Sequence, residues 1–220
     1  MIKWNNPWVL PKTSSTQDFI VEKNGELLNT IVYTLDQQNG RGTHQKTWHA
    51  DPGDWVFSFA FTHDAFKPGH LMMITSLSVI DGFKENITIK PPNDLIFGGK
   101  KCGGILIEQR PFNDRFITTI GIGVNLIKKE HSAYQHLPHA PSLEHLTTVF
   151  QETFNAYLTL PYDDVFKRYH SRIRWSDLRI KFQEKDVQLF TLNPDFSCET
   201  DHGVLPMAHL SFEIINATEK

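Results

Sequence analysis

Three short segments combine glycine with charged or amide side chains in a way that could handle an anion. The first is QQNGRGTHQKTW, where Gly40 and Gly42 flank Arg41 and Lys46 follows in the same loop. Glycines let backbone N–H groups come close to a ligand, while the guanidinium and the ammonium supply positive charge. It is not a Walker loop, which would end in Gly-Lys-Ser/Thr ahead of a helix. The second is KPPNDLIF, where two prolines stiffen the backbone and present Asn93 and Asp94 at a defined angle. Such a pair can hold Mg²⁺ or a phosphate-bound water. The third is GGKKCGGILIE, with Lys100 and Lys101 between glycine pairs, ahead of the apolar run Ile105-Leu106-Ile107. A lysine so placed can neutralise charge developing on a phosphate. Taken singly, the first segment reads equally well as a surface loop, the second better as a plain turn, and the third is a weak signal against a solvated hairpin tip. Together they equip a pocket for nucleotide phosphates without naming the substrate.

The flanking patterns predict the elements that would carry these residues. Residues 14–24 suit a helix, with Ser14 or Ser15 as N-cap and Gly25 just past its end. TIVYTLD reads as a strand, and so does DWVFSFAFT, with Trp55, Phe57, Phe59 and Phe61 at a spacing of two. HLMMITSLSVIDGFKEN places Leu71, Ile74, Leu77, Ile80 and Phe83 at helical spacing. NITIKPPNDLIF and CGGILIEQR are expected as strands bracketing a hairpin turn at 97–101, with RFITTIGIGVNL as a further strand. Helices are expected over SLEHLTTVFQETFNAYL, capped by Ser142, and over YDDVFKRYHSRIRW. The tail breaks into short apolar stretches between polar turns, which suits a small β module. The class is α+β: a mixed sheet backed by helices, with a main domain over 1–175 and the module over 176–220.

Composition narrows the function. Twenty-two Lys and Arg stand against 25 Asp and Glu, a formal charge of −3, so the balance carries no basic footprint of a nucleic-acid binder. No apolar run approaches the roughly 18 residues of a membrane span, and the N-terminal MIKWNNPWVLPK lacks the apolar core of a secretory signal. Two cysteines, Cys102 and Cys198, are too few for a disulfide framework, so a cytoplasmic setting is expected. A zinc protein is a further option with 11 histidines, His136 and His139 among them. Structural zinc wants four ligands, usually with paired cysteines, and the two here lie far apart in sequence.

The ordered set SSTQ, QQNGRGTHQKTW, KPPNDL, KKCGGILIE and GIGVNL resembles the biotin-protein ligase family over about residues 13–175. The family pattern is Ser-Thr-Asn/Gln, then GRGRxGRxW, KWPNDL, KxxGIL and GxGxN. The resemblance implies a class II synthetase-like catalytic domain with a C-terminal SH3-like β domain. It implies two steps, activation of biotin by ATP with Mg²⁺ to biotinyl-5′-AMP, then transfer to a lysine of a biotin carboxyl carrier protein or domain. By position, Ser15, Thr16, Gln37, Gly40 and Arg41 would contact biotin, Trp48 would line its tail pocket, and Gly104 would flank it. Gly42 and Lys46 would lie in the loop closing over the adenylate. Lys90, Asn93 and Asp94 would surround the phosphates, with Asp94 on Mg²⁺, and Asn125 would sit on the adenine side. Lys101, separated from Gly104 by two residues, aligns with the catalytic lysine, and Arg41 would help it offset the repulsion of two anions.

Three departures qualify the resemblance. Thr43 stands where the family has a second loop arginine, Gln45 where it has a glycine, and Pro91 where it has the tryptophan of KWPNDL. Less positive charge at Thr43 implies faster escape of the adenylate. The motifs begin at Ser14, and a winged helix-turn-helix needs roughly 60 residues, so a short form without a DNA-binding domain is expected. A homodimer is left open. The nearest rival is a lipoate-protein ligase, whose usual RRxxGGG-like loop is not present here. A non-catalytic ligand-binding relative is the second.

Overall fold

The structure, a computed structural model, describes residues 1–43, 46–64, 66–130 and 133–215. Its frame is a seven-stranded sheet. The strands are β1 (Trp8–Leu10), β2 (Val32–Thr34), β5 (Trp55–His63), β6 (Thr88–Lys90), β7 (Asp94–Phe97), β8 (Lys100–Phe112) and β9 (Arg115–Val124). They run in the order β1-β2-β5-β9-β8-β7-β6. Only β1 and β2 pair in parallel, so the sheet is mixed, as expected. A separate two-stranded ribbon, β3 (Gly40–Arg41) and β4 (Thr47–Trp48), carries the glycine loop.

Alternation in β5 sets the two faces of the sheet. Trp55, Phe57, Phe59 and Phe61 point to one side, where Phe150 and Phe154 of α3 (Leu143–Leu158) meet them edge-on, as with Phe57–Phe150 at 5.1 Å and Phe59–Phe154 at 5.2 Å. Rings at these separations and angles gain beyond simple area burial. Val56 and Ser58 point the other way, toward an open cavity. There α1 (Thr16–Glu22) covers part of the sheet, with Ser15 as its N-cap accepting from the Asp18 N–H at 3.2 Å.

Two expectations are corrected in detail. Residues 86–97 are not one strand but a hairpin, β6 and β7, whose turn holds Pro91, Pro92 and Asn93. Proline has no N–H to give to a ladder, so the pair must break the strand. The helix α2 (Pro68–Ile80) stops short of the expected Asn86, and Leu71 and every residue from Met73 to Ile80 are buried. It can be buried all round because its hydroxyls bond their own backbone, Thr75 to Leu71 O at 2.7 Å and Ser78 to Ile74 O at 2.8 Å. The turn between β7 and β8 falls on Gly98 and Gly99, both at positive φ (57° and 75°), the geometry a tight two-residue hairpin requires.

The tail after α4 (Tyr162–Ser171) forms two small antiparallel sheets. One orders β11 (Lys185–Asp186), β10 (Leu178–Phe182) and β15 (Leu210–Ile214); the other orders β12 (Leu189–Leu192), β13 (Ser197–Thr200) and β14 (Gly203–Pro206). Its apolar residues, Ile180, Leu192, Cys198 and Phe212 among them, join the same buried cluster as the main sheet. Among the described residues no helix is long and apolar enough to cross a membrane.

At the end of β5, buried His63 accepts the Phe66 N–H on Nδ1 at 3.0 Å, so its proton sits on Nε2, 2.7 Å from Thr118 Oγ1. Burial, seconded by Arg115, holds the imidazole below its ordinary value near 6.5 despite Asp64. The unfolded chain therefore takes up a proton first. Stability contributed by neutral His63 is present above pH 6.5 and is lost as pH falls below it, levelling off under the folded-state pKa. Urea denaturation of the wild type and His63→Gln between pH 5 and 8 checks this. The wild type should lose more stability than the variant on acidification, and equal losses would dismiss His63 as the source.

Candidate active site

The open face of the sheet forms the floor of a cavity of about 750 Å³. Ser15, Thr16, Gln37, Arg41, Gly42, Lys46, Trp48, Asn93, Lys101, Gly104 and Asn125 all line it, from six separate stretches of chain. Gly40, Lys90 and Asp94 stand behind the lining rather than on it. One end is polar and closely tied. The Gln37 Oε1 accepts from the Thr16 N–H at 2.9 Å, and Thr16 Oγ1 meets Ser58 Oγ at 2.8 Å. A buried donor and acceptor set with fixed geometry suits a rigid polar ring and rejects ligands that lack matching groups.

The middle is Trp48. Its indole lies flat across β9 because Gly123 has no side chain: a Cβ there would fall 2.7 Å from Trp48 Cζ2. Gly121, two residues back on the same face, leaves room for the Gln17 amide, whose Cδ would lie 3.2 Å from a Cβ. The Trp48 Nε1 is buried with no partner among the described residues, and Lys101 Nζ stands 5.5 Å from the ring centre. Close approach of side chains to bare backbone is the physical use of alternating glycines in a strand.

The far end is cationic. Lys46, Lys101, Lys128 and Lys129 line the cavity with two acidic residues, Asp51 and Glu130. Lys101 Nζ is held 2.5 Å from Asp94 Oδ1, while Lys90 Nζ takes Asp94 Oδ2 at 2.7 Å. Burial pushes the Asp94 carboxyl up, but the two lysines outweigh it and hold it below its ordinary value, so it stays ionised at neutral pH. The chain after β9 folds back over this end. Asn125 Nδ2 donates to Gln135 O at 3.1 Å, and the Gln135 N–H bonds Lys101 O at 2.9 Å.

Three of the expected site residues have partners of their own. Each oxygen of Asp94 is already paired with an ammonium, so a metal there would have to displace or share with a lysine. Among the described residues no group of three His, Cys, Asp or Glu is placed to hold a metal. Asn93 bonds backbone, its Nδ2 reaching Ile105 O at 2.9 Å, so it braces the turn against β8. Arg41 is not an unengaged anion binder: its guanidinium forks Glu108 at 2.8 and 2.9 Å and touches Asp18 at 2.7 Å. Thr43 lines the cavity, whereas Gln45 lies outside the described residues.

Several residues escaped the reading of the sequence. Gln17, Ser58, Gly121 and Gly123 line the cavity, and GIGVNL signalled the last two through glycines at a spacing of two. Lys129 carried no local signal. It is buried against Asp51 and Asp54, and Asp54, 1% exposed, also accepts the Leu126 and Ile127 N–H groups at 2.9 and 3.0 Å.

Against known sequences, a model of the biotin/lipoate A/B protein ligase family matches residues 9–125, more than half of the chain. The chain belongs to that family. Similar relatives include the bifunctional ligase/repressor BirA of Bacillus subtilis (strain 168), 26% identical over 174 residues, covering 69% of this chain and 53% of the relative. Biotin-protein ligase 1, chloroplastic, of Arabidopsis thaliana is 29% identical over 128 residues, covering 53% of this chain and 35% of the relative. The chain thus spans about half the length, or less, of the curated relatives it matches. Among solved structures, the Aquifex aeolicus biotin protein ligase in complex with biotin and ATP superposes with a TM-score of 0.78 at 19% identity, covering 96% of this chain and all of that one. The Helicobacter pylori biotin acetyl coenzyme A carboxylase synthetase with bound biotinylated ATP gives 0.71 at 21% identity, covering 88% and 95%. The family's fold, a mixed sheet with small C-terminal sheets, is therefore shared.

Proposed function

We propose that this chain is a biotin-protein ligase, joining biotin to ATP as biotinyl-5′-AMP and passing it to a lysine of a biotin carboxyl carrier domain. The observation that carries the reading is Lys101, held by Asp94 at the seam between the Trp48-floored pocket and the cationic end. The polar cluster of Ser15, Thr16, Gln37 and Ser58 suits the ureido ring, and Trp48 the apolar tail. A carboxylate leaving that tail meets the lysines where a triphosphate would lie.

In the first step a biotin carboxylate oxygen attacks the α-phosphorus, and the bond to pyrophosphate breaks. Both partners are anions, so orientation and charge neutralisation are the catalytic tasks. Lys101 holds positive charge beside the reacting oxygens, while Lys46 and Lys128 face the phosphates. Magnesium would arrive as the counter-ion of ATP; Asp94 would take it only by displacing or sharing with a lysine, and no step is assigned to it. In the second step the acceptor amine attacks the acyl carbon, gives up a proton, and AMP leaves. The division into a catalytic domain over 1–175 and a β module over 176–220 belongs to the same proposal.

The test is incubation with biotin, ATP, magnesium and a biotin carboxyl carrier domain, with lipoate in parallel. Biotin transfer is expected. Transfer of lipoate alone would move the assignment to the other branch of the family, and no transfer of either would overturn it. Thr43 adds a graded prediction. Thr43→Arg should slow release of biotinyl-AMP about tenfold, the scale of one hydrogen bond to a charged group. Trapping of free adenylate checks it, and unchanged release removes Thr43 from the account.

A further inference from the structure

Two elements that line the cavity are joined by a residue that does not line it. Glu108 lies on β8 opposite Thr119 of β9. Its two oxygens accept from Arg41 Nη1 at 2.8 Å and Nη2 at 2.9 Å, a two-pronged pairing that a planar guanidinium makes and an ammonium cannot. The second oxygen also accepts from Gln17 Nε2 at 2.6 Å. Arg41 belongs to the β3–β4 ribbon and buried Gln17 to α1, and both line the cavity.

An ionised carboxylate only accepts hydrogen bonds. Hydrogen bonding from Arg41, outweighing burial, holds the Glu108 carboxyl below its ordinary value, so it is ionised at neutral pH. The Gln17 amide must therefore turn its NH₂ to Glu108 and its Oε1 toward Gly121 and the cavity. Asp18, on the next residue of α1, takes Arg41 Nη2 at 2.7 Å, so the guanidinium is pinned from two sides. We propose that Glu108 is a positioning residue that pins the β3–β4 ribbon through Arg41 and fixes the Gln17 amide so that Oε1 faces an N–H of the substrate. The substrate half rests on the biotin reading, since a ureido ring supplies such an N–H; the ribbon half does not.

The test compares wild type, Glu108→Gln and Glu108→Asp. The glutamine is isosteric but brings its own NH₂ and so offers one acceptor where three donors converged. In ligand-free protein, ribbon amides such as Gly42 N–H, bonded to Lys46 O at 2.7 Å, should exchange at least about tenfold faster in Glu108→Gln, while amides of β5 and β9 keep their protection. In biotin-dependent pyrophosphate exchange the KM for biotin should rise about tenfold with the KM for ATP within about twofold, because the lost interaction touches the biotin end. Glu108→Asp should recover part of both. Unchanged ribbon exchange, or KM values for biotin and ATP that rise together, overturns the proposal, and so does a Glu108→Gln protein that fails to fold. Should the wild type show no biotin-dependent exchange, the biotin reading has failed, and ribbon exchange alone decides for or against Glu108.

Discussion

Replacing Lys101 by alanine is expected to lower biotin-dependent adenylate formation by about 10²- to 10³-fold, the range found when one preorganised donor is removed from a developing anion. The loss should fall mainly on turnover. Thr16 and Gln37, at the polar end of the pocket, do not depend on the ammonium for their hydrogen bonds. Stability should change little, because Asp94 keeps Lys90 at 2.7 Å and is not left as an unpaired buried charge. Lys101→Arg should not restore activity, since a planar fork cannot take the place of a compact ammonium between Asp94 and the Trp48 ring. Pyrophosphate exchange with far-ultraviolet circular dichroism as the folding control checks this. Equal exchange by wild type and Lys101→Ala would remove Lys101 from catalysis.

Gly123→Ala carries the other large effect. A methyl group on Gly123 would collide with Trp48 at Cε2, Nε1 and Cζ2, and the indole must leave its seat on β9. Loss of biotin affinity by roughly 100-fold is expected, about 2.7 kcal/mol at 1.36 kcal/mol per tenfold step, which is the scale of a lost aromatic packing partner. The strand itself has room in its backbone: Gly123 pairs with Val56 and Gly104 in regular register, and its φ needs no glycine. The harm should therefore run through Trp48. If so, the double variant Trp48→Ala/Gly123→Ala binds biotin no worse than Trp48→Ala alone, as coupled neighbours require. Calorimetric titration of the three variants decides it, and simple additivity would show that Gly123 acts elsewhere.

Much of the frame could be read from local pattern. The spacing-two aromatics of β5, the Ser15 and Ser142 caps and the Gly98-Gly99 turn each follow from backbone or side-chain preferences that operate within a few residues. The KPPND segment was harder. Proline's effect on a strand is local, but whether the chain then continues or reverses depends on β8, which pairs with β7 and receives the Asn93 amide. Burial of α2 on nearly all faces was likewise invisible, because its serines and threonines read as polar until their hydroxyls are seen bonding the preceding turn.

The sequence by itself grouped glycine-flanked Arg41 and Lys101 as candidates for handling a phosphate, and its ordered motifs pointed to the family. Their residue types and short spacings suffice for that. Only the tertiary structure decided which charges are free to act. Arg41 looked like an anion binder and is engaged by Glu108, 67 positions away along the chain, and Lys129, which carried no local signal, lines the cavity paired with Asp51 and Asp54. Asp94 looked like a metal ligand and is the counter-ion of two lysines. Charge is a property of the residue, but its availability depends on which opposite charge the fold brings within about 3 Å, where pairing competes directly with any ligand.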